Sequence, residues 1–248
     1  MPLVVAFSGL ACGMLLVAFG AAIWDACRES SKLHHAAQAI DWLAGAMLAA
    51  GAVASWRDGI TLAAPALRLL LMAAIASPRV APRRHASAWH GVARLLPALL
   101  LAVAGLSLNF RPDSGEAGGV GLTTSGLAAL AAVACGGMGA RALGEAVGGI
   151  ISASSPTEGW TVGAAYAMLT LLVSVLGMAY LWRRGTIWGE TTSTAMVAGT
   201  WLAWSGAVLG RRLPSGPRNG VIVAAALLLV CAMVGDPTAM DLWVGADL

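Results

Sequence analysis

Residues 180–212 read YLWRRGTIWGETTSTAMVAGTWLAWSGAVLGRR. The stretch holds the end of one apolar run, a short polar loop rich in tryptophan, and a second apolar run closed by paired arginines. That order of polarity predicts a membrane helix, a loop at the aqueous edge, and a second membrane helix, because a helix satisfies its own backbone groups inside lipid.

The rest of the chain has the same character. Of its 248 residues, 58% are hydrophobic and 11% charged, with a mean hydropathy of +0.78. Soluble domains carry about 25% charged residues, so the composition points to a polytopic membrane protein. The 31 glycines suit close helix contact in lipid. Nucleic-acid binding is disfavoured, since the basic residues flank apolar runs and are not interleaved with stacking aromatics.

Eight apolar runs are predicted as spans, over residues 3–24, 37–56, 60–77, 92–110, 120–140, 161–182, 193–210 and 219–235. The third is short and carries Pro65 and Arg68. The first has no basic lead-in and no small-residue cleavage pattern, which reads as a retained helix. The expectation is therefore an all-α, polytopic integral membrane helix bundle of about eight transmembrane helices, one membrane domain over residues 1–248.

Charge sets the orientation. With eight spans, ten of the fifteen basic residues fall on one side, Arg28, Arg79, Arg94, Arg141 and Arg211 among them. Arg57, Arg111, Arg183 and Arg184 fall on the other, and Arg68 lies inside a span. The positive-inside rule places the basic side in the cytoplasm and both termini outside. Tryptophans 24, 42, 56, 89, 160, 182, 188 and 243 sit near predicted helix ends, the position of an interfacial aromatic belt. Arg141 and Glu145 stand four apart, which favours a helix continuing past the membrane edge, with residues 141–160 otherwise read as a loop. Gly136, Gly137, Gly139 and Ala140 give the fifth helix a small face suited to a close neighbour.

Side chains with chemistry are few. Cys12, Cys27, Cys135 and Cys231 are scattered singly without a CxxC, and Cys12, Cys135 and Cys231 read as small buried hydrophobes. His34, His35, His85 and His90 lie on the cytoplasmic side and read as solvated or interfacial. Intramembrane acids are nearly absent, which disfavours a proton-coupled pump or transporter. Metalloprotease, nucleophile-elbow and phosphate-loop motifs are missing, no metal site is expected, and no short-period repeat stands out. Catalysis is not expected.

The opening stretch resembles the cytochrome c assembly family, membrane proteins that handle haem. In that family a helix leads into an external tryptophan-rich motif, broadly WGxxWxWDPKE, and then into a helix beginning near TWL. Here Trp188-Gly189 is similar to the opening of the motif and Thr200-Trp201-Leu202 to the following helix. The run from Tyr166 and the final run after Arg211-Arg212 are similar to the flanking family helices, so the resemblance covers about residues 120–248. Residues 1–119 share only general hydrophobicity.

The resemblance implies an external surface of Trp182, Trp188, Trp201 and Trp204 for haem or lipid, with Arg183 and Arg184 as propionate partners. The chain departs from the family in three places. Glu190-Thr191-Thr192-Ser193 stands where the family has WxWD, Thr123 or Thr124 where it has an external histidine, and Ala246 where it has its last one. The resemblance thus implies a non-catalytic relative, haem-handling or accessory to cytochrome-containing complexes, among membrane lipids and other membrane subunits of a bacterial inner (cytoplasmic) membrane. The alternative is a structural subunit of a respiratory or photosynthetic membrane complex with no cofactor of its own. A transporter, the third reading, calls for inverted repeats and intramembrane polar sites.

Overall fold

Long alanine- and leucine-rich runs with few helix breakers leave little choice but helix, and in the computed structural model every regular element among the described residues is one. The structure describes residues 2–28, 34–57, 65–77, 88–109, 124–152, 159–185, 192–210 and 213–234. Among these are eight helices and no strand: α1 (Pro2–Arg28), α2 (His34–Arg57), α3 (Pro65–Ala76), α4 (Ala88–Asn109), α5 (Thr124–Ser152), α6 (Gly159–Arg184), α7 (Thr192–Leu209) and α8 (Ser215–Val234). Each coincides with one predicted run.

Four of them are long and apolar enough to cross a membrane, over Val5–Arg28, His35–Ala54, Trp89–Ser107 and Leu130–Ile151. The apolar helical parts of the others are shorter, at Leu67–Ala76, Trp160–Val175, Val197–Leu209 and Ser215–Leu229. Helix α3 has 12 residues, with Pro65 at its first position, where the missing N–H is no loss. At about 1.5 Å per residue it is well short of a bilayer core about 30 Å thick. Residues 60–64 of its predicted run lie outside the described residues.

The fifth helix runs on past its predicted apolar run, as the Arg141–Glu145 spacing favours. Its predicted run ended at residue 140, yet α5 continues to Ser152 and its apolar window is Leu130–Ile151. Arg141 and Glu145 do not interrupt it because each has a partner inside the bundle.

The helices fall into two groups of four with the same neighbours. In the first, α1 packs on α2 and α4, and α3 on α2 and α4. In the second, α5 packs on α6 and α8, and α7 on α6 and α8. Each group has its own core. Leu15, Leu48, Leu70 and Leu99 lie at the centre of the first, and Leu169, Leu172, Trp204, Ile222 and Leu229 at the centre of the second. The groups meet where α5 lies against α3 and α4, through a small cluster of Ala76, Ala98 and Ala140. This makes α5 the central helix: 72% of its apolar window is buried, against 28% for α1.

Glycine lets α5 approach so many neighbours. A Cβ on Gly137 would lie 2.6 Å from Ile75 Cβ of α3, and one on Gly139 would lie 2.5 Å from Leu229 Cδ2 of α8. At Gly144 the obstacle is backbone, since a Cβ there would stand 2.9 Å from the Ala93 carbonyl oxygen of α4. Pro97, inside α4, has no N–H to offer that carbonyl four residues earlier. The proline exposes a backbone acceptor, and the close passage of α5 covers it.

Candidate functional site

Burying a charge in an apolar bundle costs several kcal/mol unless it is paired, so buried ionisable groups mark the places where this chain spends stability for a reason. The largest such group lies where α4, α5 and α6 meet. Glu145 is 1% exposed. Its Oε1 accepts from Arg94 Nη2 at 3.1 Å and from Arg141 Nε at 3.2 Å. Thr161, the third residue of α6, donates its hydroxyl to Oε2 of the same carboxylate at 3.2 Å. Arg141 is 6% exposed, and its guanidinium lies over the Trp160 ring, 4.8 Å from the centroid.

His90 completes the junction. It is buried, and its ring fills the space above Gly148 of α5, where a Cβ would come within 2.5 Å of Nδ1. The sequence reading had it solvated or interfacial. The correction has a steric cause: the missing side chain at Gly148 makes a hole one imidazole wide. His35, by contrast, is exposed, in keeping with that reading.

A second polar contact joins α2 to the end of α3. Ser77 donates its hydroxyl to Asp41, which is 2% exposed. Both sites lie at the same end of the bundle, where α2, α4 and α6 begin and α3 and α5 end. Trp24, Trp42, Trp89 and Trp160, at this end too, are each about half exposed, as an interfacial belt requires. Arg28 stacks on Trp24 at 4.1 Å. Arg68 is buried in α3, outside this end of the bundle.

The tryptophan-rich stretch is divided. Trp182, Arg183 and Arg184 form the last turn of α6. That helix is closed by Gly185, which adopts a left-handed φ of 68° and donates its N–H to the Leu181 carbonyl at 3.0 Å. Trp188 lies outside the described residues. Trp201 and Trp204, three apart on α7, point into the second helix group. Trp201 stacks on Tyr166, with centroids 6.0 Å apart, and its indole N–H donates to Thr170 Oγ1 at 3.0 Å. Trp204 is fully buried, and its Nε1 meets no acceptor. The structure therefore turns both Trp201 and Trp204 toward the second helix group, Trp201 partly buried and Trp204 fully so.

The junction at Glu145 was only half visible in the sequence. The Arg141–Glu145 pair follows from local spacing, whereas Arg94 lies 51 residues from its carboxylate and Thr161 lies 16 away. One sequence signal was available: Gly144 and Gly148, four apart, give α5 a second small face pointing at α4. Chemically the junction is a shared carboxylate between two guanidiniums, an electrostatic clasp between helix groups. Among the described residues no group of three or more His, Cys, Asp or Glu could hold a metal ion. No family model, curated protein or solved structure matches this chain.

Proposed function

We propose that the chain is a non-catalytic, eight-span membrane protein with both termini outside, a relative of the cytochrome c assembly scaffold serving as an accessory or structural subunit of a cytochrome-containing complex. A bacterial cytoplasmic membrane is its proposed location. The short helices α3, α6, α7 and α8 would span through their continuation into flanking residues and through local thinning of the bilayer.

Between the haem-handling and structural forms of this reading, the structural form is favoured. The observation that carries it is the inward use of the α7 tryptophans: Trp201 is held by Tyr166 and Thr170, and Trp204 fills the core beside Gly139 and Leu229. A ring already packed against its own bundle offers no shelf to a macrocycle. The haem-handling form would rest on Trp182, Arg183, Arg184 and Trp188 instead.

An optical spectrum of the gently solubilised native protein, oxidised and reduced, separates the two. A colourless chain that copurifies in fixed ratio with a multi-subunit complex is the expected result. A haem band that stays with the chain after its partners are stripped away would replace the structural form with the haem-handling one. A chain that copurifies with no complex and leaves c-type cytochromes unaffected on deletion would defeat both.

A further inference from the structure

We propose that Arg141 and Trp160 form a binding site for a phosphate-type oxyanion at the edge of α5 and α6. Arg141 sits in the middle of an apolar helix window with 6% of its surface exposed. A guanidinium has five N–H donors in a fixed fork, and desolvating them without acceptors is costly. Nε is taken by Glu145. Nη2 is buried and has no hydrogen-bond partner. Glu145 does not supply the missing acceptor: its Oε1 accepts from Arg94 Nη2 and Arg141 Nε, its Oε2 from Thr161, and neither oxygen bonds Arg141 Nη2.

Three features around the free edge suit an oxyanion. The Trp160 ring holds the guanidinium plane at 4.8 Å and is itself half exposed, so the buried donor lies one ring away from the outer surface. Helix α6 begins at Gly159, so the positive end of its dipole lies beside the site. The surrounding end of the protein is also the one on which ten of the fifteen basic residues fall by sequence. A planar fork matches phosphate oxygens two at a time, which an ammonium cannot do. Phosphate oxygens could come from an anionic lipid headgroup lying at the level of Trp160 or from free phosphate, and both offer the same acceptors.

The test uses the full-length protein, delipidated in a neutral detergent. Phosphatidylglycerol, phosphatidylcholine and inorganic phosphate are added separately. Binding is read by native mass spectrometry for the lipids and by thermal shift for phosphate. Wild type is expected to retain phosphatidylglycerol in preference to phosphatidylcholine. Arg141→Gln should lose roughly tenfold or more in affinity, and Arg141→Lys should recover part of it, since charge returns without the fork. Trp160→Ala leaves every charge in place and should weaken binding less than Arg141→Gln does, which keeps the proposal testable if the arginine variant fails to fold.

Retention of phosphatidylglycerol with no phosphate effect identifies a lipid headgroup site. A thermal shift with phosphate that Arg141→Gln abolishes identifies free phosphate. Equal binding of both lipids without a phosphate effect, or binding by Arg141→Gln and Trp160→Ala equal to wild type, overturns the proposal. None of these outcomes depends on whether the chain handles haem.

Discussion

Helices α1 and α5 hold the same place in their respective groups, each packing on the helix that follows it and on the fourth. Both are rich in glycine, but they use it in opposite ways. On α5, Gly137, Gly139, Gly144 and Gly148 are each filled by a neighbour from α3, α8 or α4. On α1, Gly9, Gly13 and Gly20 meet nothing within 4 Å of a built Cβ. The difference teaches that a glycine-rich apolar helix is not by itself a packing seam. On α5 close approach serves two ends: Gly137 and Gly139 admit apolar side chains of α3 and α8, while Gly144 and Gly148 bring α4 up to the charge cluster at Glu145.

The comparison can be broken hardest at Glu145 itself. Glu145→Ala removes the shared acceptor of Arg94 and Arg141, both nearly buried, and should destabilise the protein by about 3–5 kcal/mol. Unfolding by denaturing detergent, titrated into mild-detergent micelles, reads the change. A loss below 1 kcal/mol would mean the cluster contributes nothing to holding the helix groups together.

Next comes Gly144→Ala. Its new methyl meets the Ala93 carbonyl and the Arg94 Cα, neither of which can swing aside. The helices must separate, at about 1–3 kcal/mol by the same unfolding measurement. The smallest effect has the opposite sign. Gly13→Ala adds a methyl into open space on an exposed helix face, and the gain in helix propensity should stabilise by up to about 1 kcal/mol. If Gly13→Ala destabilised as much as Gly144→Ala, the distinction between the two helices would be lost.

Much of this fold was legible because apolar runs and charge breaks are local properties. All eight helices were expected near their observed positions, and so was the small face of α5. The Arg141–Glu145 pair was read from its spacing as a helix continuing past residue 140, and α5 does continue to Ser152. What the spacing does not show is that Arg94 from α4 shares the carboxylate and keeps the pair inside the bundle. The burial of His90, read as solvated or interfacial, and that of Trp204, read as part of an external surface, were not visible in the sequence for a related reason. Whether a ring at a helix end or on a helix face turns inward depends on what the facing helix lacks, and Gly148 and Gly139 are the relevant gaps. Such complementarity between distant positions leaves no mark on either segment alone.

The position of α5 also bears on how the protein is made. Chains are synthesised from the N-terminus, and domains tend to fold in that order. All four helices of the first group are complete before α5 emerges, and α1 already touches α4 within that group. An α5 carrying Arg141 and Glu145 would be a poor candidate for insertion alone. Arg94 and the Ala93 carbonyl belong to a helix made before it, so the first half of the chain carries the partners that α5 meets in the folded bundle.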